Sequence, residues 1–208
     1  MLAYRHNQLV YIPISKHAST SYRNLFRYQL GWTEIQTDTI DWADDHVFSH
    51  IIDPYERHLK GTAEAMSQYN ITDLIDDPRF LPLWTTAIFD IHSYPLFISF
   101  GENINKIDWL VLDHPTVSGN KITVKFLNDH GINISESDIG IENSSSKTKK
   151  QLLEKLRELK NKNRAKFSTL TYFYDTDGVV YSKVMARTKF DCIDRLPWSQ
   201  LSWLANEN

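Results

Sequence analysis

Short apolar runs alternate along this chain with stretches whose apolar residues recur at helical spacing. The first run, LVYIPI, begins at Leu9 and reads as a buried strand. A polar turn follows, and Tyr22, Leu25 and Phe26 then fall on one face of a helix. We therefore predict a strand, a short turn, and a helix from about Ser19 to Tyr28 that stops at Gly31.

A second apolar run, Val47 to Ile52, predicts another strand, and Asp53-Pro54 opens the next helix. Further strands are predicted at 33–37 and 106–113, and further helices at 120–130 and 149–162, the last with an apolar leucine stripe. Strands alternating with helices are typical of an α/β fold with a parallel sheet and ligands at the strand carboxyl ends.

Composition narrows the class of protein. The 208 residues are 41% hydrophobic and 24% charged, which predicts one globular domain over 1–208, with 182–208 as a candidate appendage. A formal charge of −3 argues against bulk binding of nucleic acid. No apolar run reaches the length of a membrane span, and no signal-peptide pattern is present. The single cysteine, Cys192, fits a reducing compartment, so we expect a cytoplasmic protein.

The turn after the first strand carries the clearest candidate chemistry. Lys16 precedes Ala18 and three hydroxyl residues, Ser19, Thr20 and Ser21, at the predicted helix start. Backbone N–H groups at a helix N-terminus, hydroxyl donors and one cation together predict an anion site. The turn lacks the glycines of a Walker A loop. The alternative is an ordinary N-capped helix with a solvated Lys16.

This turn resembles the 5′-phosphosulfate loop of sulfotransferases, P-K-x-[GA]-[ST]-T-[SW], with Ser15 in the place of the proline. The segment beginning Asp53-Pro54 is similar to the family's 3′-phosphate segment and matches it at Arg57. Ile52 and Lys60 stand where the family has an arginine and a serine. The alternative is a strand, turn and helix in which Arg57 and Glu56 are structural.

Weaker similarities follow in the family's order. The segment FDIHSYP contains His92, the polar stretch after Ile139 contains Asn143, and a late helix shows the pattern Tyr174, Asp177, Tyr181. The resemblance is nearest to the carbohydrate-type branch and to its short bacterial and phage members. A phage-encoded protein would act in the host cytoplasm.

The resemblance implies a P-loop-like three-layer sandwich, in which helices flank a central parallel sheet of about four or five strands. It also implies transfer of a sulfuryl group from 3′-phosphoadenosine 5′-phosphosulfate (PAPS) to a hydroxyl or amine of a carbohydrate or small molecule. The catalytic residues would be Lys16 and a histidine base, with His92 preferred over His46. The residues expected to bind PAPS or adenosine 3′,5′-bisphosphate are Lys16, His17, Ala18, Ser19, Thr20, Ser21, Arg57, Lys60 and Asn143.

No metal is expected in this chemistry. In a strand, His46 and His50 would lie about 13 Å apart, too far for one ion. Two other functions stay open: a degenerate, non-catalytic nucleotide-binding or interaction module of the same fold, supported by Ile52, and a nucleotide or phosphate kinase with Asp53 or Asp113 holding Mg²⁺. The sequence does not identify the acceptor or the oligomeric state.

Overall fold

A computed structural model describes residues 1–86, 94–140, 146–167 and 171–190. These residues fall into two compact units. The first contains 1–52, 102–140 and 180–190, and the second contains 53–86, 94–101, 146–167 and 171–179.

The first unit contains a five-stranded mixed sheet in the order β3-β1-β2-β4-β5. Its strands are β1 Leu2–His6, β2 Leu9–Tyr11, β3 Thr33–Gln36, β4 His46–Ile51 and β5 Asp108–Val111. β2, β4 and β5 are parallel, whereas β1 is antiparallel to both β2 and β3. The prediction of an α/β fold with about five strands is confirmed, and the prediction of a wholly parallel sheet is wrong.

The antiparallel part arises from a tight hairpin at the start of the chain. His6 pairs with Leu9, so Asn7 and Gln8 alone form the turn, and Asn7 has a positive φ of 53°. Asparagine tolerates this conformation better than most residues, so the turn has a low conformational free-energy cost. The sequence did not predict β1, because its three consecutive apolar residues, Leu2 to Tyr4, show no alternation and are too short a run to indicate a strand.

Eight helices lie in the described part of the chain. They are α1 Ser19–Asn24, α2 Pro54–Gln68, α3 Phe80–Thr86, α4 Leu96–Phe100, α5 Gly119–Asp129, α6 Lys147–Lys162, α7 Arg164–Phe167 and α8 Thr171–Phe190. α1 continues directly into a π-helical turn, Leu25–Gln29. Short 3₁₀ turns occupy Thr37–Thr39, Thr72–Asp76, Gly101–Lys106 and Glu136–Asp138.

One face of the sheet in the first unit carries an aromatic core. Tyr11 of β2 packs against Phe48 of β4 and against Phe26, which follows α1, with ring centroids 5.3 and 4.5 Å apart. Phe126 of α5 packs on Phe48 at 4.7 Å. All four rings are buried, so this face is covered by α1 and α5.

The second unit is helical, with a core formed between α2 and α6. Its buried cluster consists of Leu59, Ala63, Met66, Phe80, Trp84, Leu152, Leu156 and Tyr174. Burial of Leu152 and Leu156 confirms that the leucine stripe of α6 is a packing face. No helix in the described ranges has the length and apolarity to cross a membrane.

Candidate functional site

The predicted anion loop lies at the carboxyl end of β2, where a ligand site is expected beside parallel strands. After β2 the chain stays in the sheet for one more residue, because the Ile12 N–H donates to the Phe48 carbonyl at 3.0 Å. A turn over 15–18 then leads into α1. This placement agrees with the predicted strand, turn and helix.

Two non-glycine residues of the loop have left-handed backbone conformations. Lys16 has a φ of 68° and Ala18 a φ of 54°. Each such residue costs on the order of 1–2 kcal/mol, so the loop keeps its shape only if its surroundings impose it. Strain of this kind is frequent at binding sites, and here it falls on the residues predicted to approach a ligand.

His17 is the anchor that imposes the loop conformation. Its side chain is buried, and its Nδ1–H donates to the His50 carbonyl of β4 at 2.5 Å. Its backbone N–H donates to the Ile14 carbonyl at 3.1 Å. The prediction that His17 contacts a cofactor therefore gives way to a structural role, since its side chain faces the core and its N–H is already bonded.

Ser19 and Thr20 begin α1 and lie at the surface, half-exposed and exposed. The first N–H groups of a helix have no intrahelical acceptor, and no side chain caps this helix. Ala18 is exposed and adds no bulk. The loop thus places the small hydroxyl side chains of Ser19 and Thr20 at the surface, with the half-buried Lys16 and Ser21 beside them.

Beneath the loop lies a buried polar network that the sequence did not indicate. His50 Nε2 lies 2.9 Å from Thr123 Oγ1, and His50 Nδ1 lies 3.2 Å from the Tyr11 hydroxyl. The Tyr22 ring stacks on His50 at 3.8 Å, and its hydroxyl donates to Asn120 Oδ1 at 2.9 Å. The network fixes β4, α1 and α5 against one another under the loop.

Burial sets the protonation of this network. It lowers the pKa of His50 to about 3, so the imidazole is neutral at physiological pH. The Thr123 hydroxyl donates to the Gly119 carbonyl at 2.9 Å, which leaves it to accept from His50 Nε2–H. His50 Nδ1 then accepts from the Tyr11 hydroxyl. Burial also raises the pKa of Tyr22 to about 12. The network is therefore uncharged.

His46, the second predicted base, lies at the other end of the sheet. It begins β4 and pairs with Leu9, the first residue of β2, whereas the loop follows the last residue of β2. Six strand residues span about 16 Å, so His46 and the loop lie at opposite ends of the parallel strands. His46 is bonded instead to Asp108 through Nε2. The structure corrects the prediction that His46 and Lys16 share one site.

The Asp53-Pro54 segment stabilises the start of a helix in the second unit. Asp53 caps α2 by accepting the Glu56 N–H at 2.9 Å, and Pro54 occupies the first turn. Arg57 is buried, with its Nη1 3.7 Å from Asp177 Oδ2. These contacts favour the structural alternative for this segment. Lys60 is half-buried on α2.

Asp177 connects the ion pair to the helix that follows Pro95. Both its carboxylate oxygens lie 2.9 Å from the Leu96 N–H at the start of α4. Burial raises the pKa of Asp177 to about 6, although Arg57 and backbone N–H groups oppose the shift. Burial likewise lowers the pKa of Arg57. The predicted late-helix pattern is thus on α8 and buried at Tyr174 and Asp177.

Two predicted site residues, His92 and Asn143, lie outside the described residues. Across the residues that are described, no group of three or more His, Cys, Asp or Glu side chains is placed to hold a metal ion. Comparison with known proteins gave no matching family, no matching curated protein and no matching solved structure.

Proposed function

We propose that this chain is a sulfotransferase that moves a sulfuryl group from PAPS to an acceptor hydroxyl or amine of a carbohydrate or small molecule. The observation that carries the proposal is the 16–21 loop at the carboxyl end of β2, with small hydroxyl residues starting α1 and two left-handed residues held by His17. A strained, well-anchored loop at the carboxyl ends of parallel strands is the expected form of a phosphate-binding site.

The chemistry requires positioning and charge stabilisation more than covalent catalysis. When bound, PAPS supplies an activated sulfuryl group whose bond to the phosphate breaks as the acceptor atom attacks sulfur. Ser19 and Thr20 would hold the 5′-phosphate through their hydroxyl and N–H groups. Lys16 would balance the charge that develops on the departing phosphate, and removal of such a cation costs several kcal/mol of barrier. The acceptor proton goes to a base, for which His92 remains the prediction.

A second candidate function, a degenerate, non-catalytic nucleotide-binding or interaction module of the same fold, is favoured by the state of the second phosphate segment. Arg57 is engaged with Asp177 in the second unit, and Ile52 is buried where the family has a phosphate-binding arginine. The kinase alternative has less support. Asp53 is occupied in capping α2, and Asp113 accepts a hydrogen bond from Tyr181 at 3.1 Å.

The test is calorimetric titration of the full chain with adenosine 3′,5′-bisphosphate, with ATP and Mg²⁺ as a separate titrant. The Lys16→Ala variant is compared with Lys121→Ala, which removes an exposed lysine from α5 in the same unit. We expect micromolar binding in the wild type and in Lys121→Ala, and loss of binding in Lys16→Ala. Binding of ATP with Mg²⁺ but not of the bisphosphate would support the kinase instead.

Transfer activity separates the two leading candidates. The wild type is incubated with ³⁵S-labelled PAPS and a panel of carbohydrate and phenolic acceptors, and labelled product is counted. Product formation that is lost in Lys16→Ala supports the enzyme. Bisphosphate binding without any product supports the non-catalytic nucleotide-binding module. Absence of bisphosphate binding overturns the sulfotransferase and leaves the interaction module.

A further inference from the structure

A histidine pair lies near the amino ends of the parallel strands, whereas the loop lies at their carboxyl ends. His46 begins β4, and His130 ends α5. Their rings are 4.6 Å apart between centroids and nearly perpendicular, at 86°. Both line a cavity of about 330 Å³ that is also bounded by His6 and by the Asn7–Gln8 turn. The proposed sulfotransferase function makes no use of this cavity.

Each imidazole has one nitrogen committed to a hydrogen bond that fixes its tautomer. His46 Nε2–H donates to the Asp108 carboxylate. His130 Nδ1–H donates to the Phe126 carbonyl at 2.8 Å. The second nitrogen of each neutral ring, Nδ1 of His46 and Nε2 of His130, therefore carries a lone pair. Metal-binding histidines characteristically donate their other N–H to a carboxylate or a backbone carbonyl in this way.

The ring separation also matches a shared ion. With metal–nitrogen distances of about 2.0–2.1 Å, a ring centroid lies about 3.2 Å from the metal. Two imidazoles at an angle of about 90–110° on one ion then have centroids about 4.5–5.2 Å apart. The observed 4.6 Å falls inside that range. Ordinary edge-to-face packing of aromatic rings allows 4.5–7 Å, so the separation alone does not decide the matter.

We propose that His46 and His130 form a two-histidine site for a divalent transition metal ion, with Zn²⁺ as the leading candidate because imidazole is a preferred zinc ligand. The remaining coordination positions open onto the cavity, where water or a small anionic or amide ligand would fill them. Asp108 holds His46 in the metal-binding tautomer and is a positioning residue. A site with two protein ligands is compatible with the absence, among the described residues, of a three-residue group.

The pair was not visible in the sequence. Sequence spacing compared His46 with His50 and excluded them as partners. In the structure, His50 is buried in the network beneath the loop. The parallel order β2-β4-β5 and the packing of α5 on the sheet bring His130 to His46 instead.

The experiment is calorimetric titration of the tag-free full chain with Zn²⁺ alone, in a buffer that does not bind zinc. Four variants are compared with the wild type: His46→Gln, His130→Gln, Asp108→Asn and the control His114→Gln. Far-ultraviolet circular dichroism and thermal melting establish that each variant is folded. A ¹H–¹⁵N spectrum of the histidine side chains with and without Zn²⁺ provides a second measurement that does not depend on mutation.

We expect one Zn²⁺ per chain, lost in both His46→Gln and His130→Gln and unchanged in His114→Gln. Asp108→Asn should weaken binding about 10- to 100-fold, the usual effect of removing a partner of a metal-bound histidine. Zinc should shift the signals of two histidines, and each should be absent from one of the two variants. Absence of binding, or equal binding in His130→Gln and wild type, would overturn the proposal.

Discussion

Each of the two units buries a polar cluster beside a histidine, but the clusters are built differently. In the first unit, His50, Thr123, Tyr11 and Tyr22 are neutral, and both nitrogens of His50 have hydrogen-bond partners. In the second unit, Arg57 and Asp177 are charged, and Nε and Nη1 of Arg57 form no hydrogen bond with described residues. A neutral, satisfied network fixes geometry at little cost, whereas a buried ion pair must recover a large desolvation penalty.

The difference fits the proposed roles of the two segments. The neutral network lies under the candidate phosphate loop and holds it through His17 and His50, so the loop keeps its strained shape. The charged pair holds α2, α4 and α8 of the second unit together. We expect the first cluster to affect ligand binding more than stability, and the second to affect stability most.

The largest effect should come from removing one charge of the ion pair. Arg57→Met leaves Asp177 as an uncompensated buried charge and should lower the free energy of unfolding by about 3–5 kcal/mol. The double variant Arg57→Met, Asp177→Asn removes both charges and keeps an oxygen for the α4 N–H, so most of the loss should be recovered. Urea unfolding of the two variants measures this, and equal losses in both would show that the charges are unimportant.

A close approach of α5 to the sheet supports the neutral network. A methyl group on Gly119 would lie 2.7 Å from Leu112 Cα and 2.8 Å from its carbonyl oxygen, both of them backbone atoms. Gly119→Ala should therefore push α5 outward and cost about 2–3 kcal/mol, within the range of overpacking. Gly140→Ala has open space and is the control. Thermal unfolding compares them, and similar melting temperatures would contradict the close approach.

Removing one hydroxyl from the neutral network should cost less. Thr123→Val leaves His50 Nε2 without its partner and should lower stability by about 1–2 kcal/mol, the usual penalty of an unpaired buried donor. Thr116→Val, at an exposed position, should change stability by less than about 0.5 kcal/mol. Because the network supports the loop, Thr123→Val should also weaken bisphosphate binding. If Thr123→Val is destabilised but binds the bisphosphate as the wild type does, the network does not support the loop.

The smallest effect should come from lowering the pH, which changes the stability contributions of the buried groups in the two units. Since the pKa of His50 is about 3 when folded and near 6.5 when unfolded, the unfolded chain binds this proton first as the pH falls below about 6.5. Stability is then lost by about 1 kcal/mol between pH 7 and pH 5.5. His58 of the second unit, with a pKa of about 4, acts in the same direction.

Asp177 acts in the opposite direction. Its folded pKa of about 6 lies above the unfolded value, so the folded chain takes up this proton first and gains stability as the pH falls from about 6 toward 4. Urea unfolding at pH 7 and 5.5 should therefore show a smaller loss in His50→Gln than in the wild type, and a larger loss in Asp177→Asn. The same pH dependence in all three proteins would contradict these shifts.

The sequence was most informative where one segment determines its own structure. The strand and helix around the 16–21 loop, the Asp53-Pro54 helix start and the α6 leucine stripe follow from local patterns, and the structure has all three. β1 was missed because its residues lack a clear alternation. Its pairing with β2 and β3 depends on the Asn7 turn and on neighbours elsewhere in the chain.

The site was less predictable than the fold, since its partners are distant in sequence. Nothing local connects Tyr22 to Asn120, His46 to Asp108, or Arg57 to Asp177. A histidine in an apolar strand gives no sign of whether it is a base, a buried hydrogen-bonded group or a metal ligand. His46 and His50 have different hydrogen-bond partners only because the sheet and α5 pack around them differently.

The order of the strands in the sheet also has a consequence for folding kinetics. The β1–β2 hairpin closes over a two-residue turn, so it can form within microseconds of collapse, before any distant pairing. β4 and β5 pair only after a long intervening segment has been closed, a step that carries a larger loop entropy. Folding of the first unit should therefore be rate-limited by addition of β5, and substitutions in the hairpin turn should mainly alter the unfolded ensemble that precedes that step.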